Sequence, residues 1–364
     1  MYYKNAFLDF IKIFCAIIFV MVAVIYVSDP FMIFHKKLWN KDKIYTDMRV
    51  QDYGLIKYMD FDNFVLGSSM LENTSAYEAN ERLGGKWINL SFGGQRSYER
   101  FMVIKWALQN HKINNVVVSV DDHSFNPRHI ESTFEPKLYE DDFNTKWKMY
   151  FKSNAMTCVF LGKHCRLKQT DVYNRPAAWI DELYYARRFG GFENWINAEK
   201  DDGQIQDVFP MLLENDSHCD MTNENYKQTI DTEIVPLFAN TDTEFHIIIP
   251  PYSGLYWAYD LEKFDCRMRP YEYLIEQSQK YKNVSIYWLY DEDFVFDIAT
   301  YKDLTHHTDA INTLELDFIK NRSHIINVNN YKHKILAFKN RVKKIDVKYY
   351  TDKIKEYYAG KEKK

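Results

Sequence analysis

The chain has 364 residues, 46% of them hydrophobic and 27% charged, with a formal net charge of −4. That balance excludes a disordered chain and provides apolar surface for one large domain or two small ones. The charge is uneven: residues 332–364 carry 12 Lys/Arg against 4 Asp/Glu, which leaves the remainder at −12.

The first element is an apolar run. Residues 13–27 are unbroken, and Phe10 and Ile11 extend the run across Lys12, whose stem can reach the headgroups. At about 1.5 Å per residue, residues 10–27 make a helix of roughly 27 Å, the thickness of a hydrocarbon core. Asp29 and Pro30 end it, and no small-x-small cleavage site follows. An uncleaved single-pass anchor over residues 1–35 is therefore expected, in place of a signal peptide. Lys4 and Lys12 precede the run, while Lys36, Lys37, Lys41 and Lys43 follow it. Counted alone, these lysines place the body in the cytoplasm.

Five runs then read as strands: 64–66, 87–90, 116–120, 245–249 and 284–289. The third and fourth are almost continuously apolar, as in strands of a parallel sheet covered on both faces. Helical patterns separate them. Residues 99–110 place Phe101, Ile104 and Leu108 on one stripe, and 269–281 carry Tyr273, Leu274 and Gln277. Alternating strands and helices predict a three-layer α/β/α sandwich with a five-stranded parallel sheet over residues 44–330. Residues 126–243 are too many for a simple crossover and predict a helical insertion, with 179–185 as one element. Residues 335–358 read as one basic amphipathic helix within a tail at 331–364. That tail suits anionic lipid, an acidic glycan or nucleic acid, or is simply a solvated helix end. No zinc-finger spacing and no RNA-binding aromatic motif accompanies it, so nucleic acid is not an expected partner.

Of the five cysteines, Cys15 lies in the apolar run, while Cys158, Cys165, Cys219 and Cys266 allow two bridges in three connectivities. No Cys-x-x-Cys pair and no other ligand spacing occurs, so neither a metal nor a cofactor is expected.

Three short segments carry chemistry. Gly67-Ser68-Ser69 follows the first strand, where a serine can present its Oγ and its own N–H together, or can merely cap a helix. Gly93-Gly94 follows the second strand, where a backbone without Cβ can approach a reacting oxygen, or can simply turn. Asp303 and His306 stand at i, i+3 near the end of the domain, so the carboxylate can hold the imidazole in one tautomer with Nε2 outward. His307 is the rival base, and the i, i+3 spacing favours His306. Together the segments provide a nucleophile, oxyanion donors and an oriented base for acyl transfer through a serine ester.

These residues resemble the SGNH/GDSL hydrolase superfamily from residue 64 to residue 318, in the family's order. Gly67 and Ser69 match its first block, Asn89 and Gly94 its second, and Asp303 and His306 its last. One block departs: the family's third block has an oxyanion-donating Asn where this chain has Asp121, within Ser119-Val120-Asp121-Asp122. The plan of one helix followed by such a body is similar to membrane-anchored members that transfer D-alanine to teichoic acids or O-acetylate alginate. Pro250-Pro251-Tyr252-Ser253 is similar to a Pro-Pro-Tyr segment in those proteins, and otherwise reads as a rigid loop.

The resemblance implies an SGNH/flavodoxin-like sheet, with the body outside the cytoplasmic membrane. It implies Ser69 as nucleophile, His306 as base, Asp303 as its orienting carboxylate, and the N–H groups of Ser69 and Gly94 as the oxyanion site. Gly93, Asn89, Asp121 and His307 are secondary candidates. The expected activity is a serine O-acyltransferase or esterase that modifies a cell-envelope glycan. An acyl donor, and a membrane-bound exporter of that donor, would be its partners. The competing expectation is a non-catalytic glycan-binding or scaffold subunit of an envelope acylation complex, for which the Asp121 departure speaks.

Overall fold

The structure is a computed structural model and describes residues 2–36, 48–125, 134–151, 153–161, 173, 183–202, 209, 212–213, 224–239 and 242–361. The chain divides into two compact units, residues 1–60 with 132–172, and residues 61–131 with 173–364.

The first unit begins with a 27-residue helix, Tyr2–Ser28. Within it Asn5–Ser28 contains an 18-residue stretch of mean hydropathy 2.8 and is long and apolar enough to cross a membrane. Phe7, Phe10, Ile13, Phe14 and Phe19 are all exposed, an apolar surface that water tolerates poorly. The helix stops at the expected place, and the structure adds the reason. Asp29, fully buried at φ 29°, accepts the N–H groups of Ile33 and Phe34 at 2.9 Å and of His35 at 2.8 Å, together with the phenol of Tyr150. One carboxylate thus collects the donors of a tight reversal. Burial, reinforced by that carboxylate, pushes the Tyr150 phenol well above its ordinary range and keeps it a donor. Phe31 stacks on Tyr150 at 4.9 Å between ring centroids. Helices Met48–Tyr58, Phe143–Tyr150 and Ser153–Leu161 also belong to this unit.

The second unit is mixed α/β around a six-stranded sheet of order β2-β1-β3-β4-β5-β6. The strands are β1 Asn63–Leu66, β2 Trp87–Asn89, β3 Asn115–Ser119, β4 Glu244–Ile249, β5 Val284–Trp288 and β6 Ile325–Ile326. The first five are parallel and match the five apolar runs. The sixth is antiparallel to β5 and corrects the expected five-stranded sheet. Two residues are too few to leave a period in the sequence.

Successive side chains of a strand point to opposite faces. Val65, Val117, Ile248 and Tyr287 share a buried cluster with Ala76, Ala79, Leu316 and Ile319 of helices Ala76–Leu83 and Asp309–Asn321. Their neighbours Phe64, Leu66, Val118 and Ile247 are buried as well, so both faces are covered.

Helix Ser97–Asn110 is less amphipathic than its stripe predicts: Glu99, Arg100, Val103, Trp106 and Ala107 are buried alongside Phe101 and Ile104. The π-helical turn Ile230–Ile234 and the 3-10 turn Val235–Ala239 pack against it, and a sequence stripe does not anticipate cover supplied from the insertion. The predicted helix at 269–281 instead runs Phe264–Ser278, with Pro270 inside it. Among the described residues of the insertion no strand occurs; Leu183–Ala186 and Phe192–Asp202 are helical, while 179–182 lie outside the described residues.

The expected single C-terminal helix is two, Tyr331–Val342 and Val347–Lys361. Between them Ile345 lies where a Cβ on Gly254 would come within 2.8 Å of its Cδ1. The tail's cations face acids of the body: Lys339 contacts Asp265 and Arg341 contacts Asp293, each at 2.6 Å, and Lys334 pairs with Asp291. This opposes the tail's positive charge to the negative remainder of the chain.

Candidate active site

The strand order places the site. The chain leaves β1 toward β2 on one side and later returns to β3 on the other, so the carboxyl ends of β1 and β3 flank a topological switch point, where parallel sheets bind ligands. Gly67-Ser68-Ser69 leaves β1 there, and Asp121 leaves β3.

The Ser69 turn is built by close approach. A Cβ on Gly67 would overlap Ser119 Oγ on the neighbouring strand, so only glycine lets the chain turn against β3. Ser69 is not a helix cap. The turn continues through Leu71 N–H to Ser68 O (3.1 Å) and Thr74 N–H to Leu71 O (3.0 Å), and the next helix is capped by Ser75. Asn89 holds this turn from β2: fully buried, it donates through Nδ2 to the carbonyls of Leu71 (2.9 Å) and Thr74 (2.7 Å). It therefore supports the Ser69 turn and is not among the residues lining the cleft. Asn312 does the same from the opposite side, donating to Met70 O at 2.8 Å; neither its position nor its pairing gave a sequence signal.

Ser69 Oγ lies 2.7 Å from His306 Nε2. His306 Nδ1 lies 2.8 Å from Asp303 Oδ2 and 3.0 Å from Oδ1. The hydroxyl, imidazole and carboxylate thus meet although Ser69 and His306 are 237 residues apart. Asp303 also accepts the N–H groups of Thr305 (2.9 Å) and His306 (2.8 Å), a turn that fixes the i, i+3 geometry. Burial alone would raise the Asp303 carboxyl; the charges of His306 and Lys302, with the hydrogen bonds from His306, instead hold it well below its ordinary range.

The loop that carries Asp303 and His306 is closed by a bridge between Tyr301 and His307 and by the N–H of Thr308 on Thr300 O (3.0 Å). His307 is fully buried, with Nδ1 3.0 Å from Thr308 O, and burial pushes it down to about 4. It faces the loop's interior and not Ser69, held there by the isolated bridge that pairs it with Tyr301.

Pro250-Pro251-Tyr252-Ser253 proves to be the loop's foundation. Tyr301 OH donates to Pro251 O at 2.7 Å, and Ser253 donates to Leu304 O through both N–H (3.0 Å) and Oγ (2.7 Å). Trp195 Nε1 on the insertion helix Phe192–Asp202 donates to Tyr301 O at 3.0 Å.

Asp121, the departure in the third block, is 2% exposed. It accepts the hydroxyl of Ser68 at 3.0 Å and both the N–H (3.1 Å) and hydroxyl (3.0 Å) of Ser124. The guanidinium of fully buried Arg100 lies 3.5 Å from its Oδ2. That guanidinium is itself oriented by Ser124 Oγ (2.8 Å), Gln95 O (3.1 Å) and Ser119 O. The carboxylate is thus neutralised from behind.

Ser69, Gly94, Arg96, Arg188, Lys302 and His306 are among the residues lining one cleft of about 720 Å³. Gly94 has φ 66°, a left-handed conformation that favours glycine. Gly93 is exposed and does not line the cleft. Cys266 is disulfide-bonded, while Cys15 is free and exposed. Lys302 and Arg100 were not among the expected residues, and Ser253 was singled out only within the Pro250-Pro251-Tyr252-Ser253 segment, without the hydrogen bonds it makes to Leu304 O. A cation adjacent to Asp303 was the one visible signal. No protein-family model matches the chain, and no curated protein does.

Proposed function

We propose that the protein is a membrane-anchored serine acyl-transfer enzyme, an O-acyltransferase or esterase of a cell-envelope glycan, on a three-layer SGNH-like α/β/α scaffold. The observation that carries the reading is the continuous contact from Ser69 Oγ to His306 Nε2 at 2.7 Å and from Nδ1 to Asp303 at 2.8 Å. In this reading Ser69 Oγ attacks the acyl carbonyl carbon while Nε2 takes its proton. The N–H groups of Ser69 and Gly94 receive the oxyanion, and the leaving group departs with the proton from His306. An acceptor hydroxyl, deprotonated in turn by His306, then releases the acyl group from Ser69.

The neutralised setting of Asp121 supports catalysis over a purely structural role, because its charge is met by Arg100 before it can oppose an oxyanion. Strand order 2-1-3-4-5 is that of flavodoxin-like sheets, which suits the proposed scaffold. A body outside the cytoplasm is supported by the disulfide at Cys266, since such bonds persist in oxidising compartments.

A fluorophosphonate probe tests the reading on the full chain in detergent. One adduct is expected, on Ser69, lost in Ser69→Ala and reduced at least about 10³-fold in His306→Ala. Failure of the folded wild type to react would assign the chain to the non-catalytic scaffold class.

A further inference from the structure

Acyl transfer as drawn above gives Lys302 no part. The residue is 6% exposed, its Nζ lies 3.0 Å from Asp303 Oδ2, and the ammonium sits 4.8 Å from the centroid of the Tyr185 ring. Its own N–H donates to the carbonyl of His306 at 3.0 Å, so both the backbone and the head of the side chain are fixed. An ammonium buried to this degree needs an anion beside it. The anion here is the carboxylate that orients the base.

We propose that Lys302 is a positioning residue of this site, clamping the Asp303 carboxylate and, as a second positive charge on that carboxylate, opposing protonation of the imidazole it holds. The inference rests on the serine acyl-transfer reading. Its logic is electrostatic. A carboxylate 2.8 Å from Nδ1 favours the imidazolium. An imidazolium would donate from Nε2 to Ser69 and could not act as its base. A second cation on the same carboxylate opposes that protonation.

The surrounding charges do not replace it. Asp121 faces Arg100, and His307 is held neutral by burial. Arg96 and Arg188 stand on the cleft wall and add positive potential of the same sign, with Arg188 lying 5.1 Å from the same Tyr185 ring. Among the described residues, Lys302 is the one lysine or arginine paired with the carboxylate that holds His306.

The test reads His306 directly. The full chain carrying Ser69→Ala and isotope-labelled histidine is titrated by NMR in detergent, with Lys302, Lys302→Met, Lys302→Gln and Lys302→Arg compared. Removing the neighbouring like charge is expected to raise the His306 midpoint by about 1 pH unit in Met and Gln, and Lys302→Arg is expected to leave it in place. With Ser69 present, the acid limb of fluorophosphonate labelling should move to higher pH by the same amount.

A His306 midpoint unchanged in a folded Lys302→Met or Lys302→Gln chain overturns the proposal. So does a uniform loss of labelling at every pH with the limb unmoved, which is the signature of a merely structural contact. An unreactive parent protein would refute the acyl-transfer reading, while the NMR midpoints would still decide the role of Lys302.

Discussion

Glu315 offers a charge that the fold should be better without. It lies on Asp309–Asn321, is 2% exposed, and accepts Asn312 Nδ2 at 3.0 Å. Among the described residues no cation pairs with it, and burial pushes its carboxyl up from 4.5 to about 8. The unfolded chain therefore releases this proton near 4.5 while the folded chain retains it to about 8. Its linkage leaves stability intact below the lower value and removes stability as pH climbs through the upper one. At 1.36 kcal/mol per pH unit the loss is about 3 kcal/mol at pH 7 and about 5 kcal/mol once both states are ionised. Glu315→Gln keeps an acceptor for Asn312 and has no proton to release. The variant should match the wild type near pH 5 and exceed it by several kcal/mol at pH 9. Denaturant unfolding in detergent, followed by tryptophan fluorescence at a series of pH values, measures the difference. A gap that does not change with pH, or a variant less stable than wild type at pH 9, would refute the assignment of a buried neutral acid. Since Asn312 also holds Met70 O, labelling of Ser69 should survive the substitution.

Two further outcomes follow from the supports around the site. Arg100→Leu strands the Asp121 carboxylate and should cost about 3–5 kcal/mol, with at least half regained when Asp121→Asn is added; an unfolding loss below about 1 kcal/mol would show that the guanidinium is dispensable. Ser253→Ala removes a hydroxyl bond to Leu304 O and should lower stability by only about 1 kcal/mol. Because it loosens the loop that aims His306, it should nonetheless slow fluorophosphonate labelling about tenfold. Unaltered labelling kinetics would dissociate the Pro-Pro-Tyr-Ser segment from the base.

What could be read in advance was whatever has a local signature. The five parallel strands are short apolar runs, and Asp303 and His306 are close in sequence because one turn holds both. Ser69 was visible because glycine precedes it at a strand end. The helix terminus at Asp29 was visible too, but not its capture of three amides and Tyr150, which joins residues 121 apart. Arg100 was hidden because a charge next to Phe101 on an apparently amphipathic helix reads as solvent-facing. Only the insertion packed over that helix makes its burial intelligible. The spacing to Asp303 already favoured His306 over His307, and the bridge to Tyr301 adds the physical reason by holding His307 in the loop's interior. Ser253 looked like the end of a stiff loop because its partner, Leu304 O, is a backbone atom and leaves no trace in residue type.

Ile345, in the break between the last two helices, is lodged against Gly254, the immediate neighbour of the serine that fastens the histidine loop. A segment near the far end of the polymer from Ser69 therefore packs behind the loop that holds Asp303 and His306. A nascent chain synthesised just past His306 would hold Ser69, Asp303 and His306 and still lack the residue packed behind their loop.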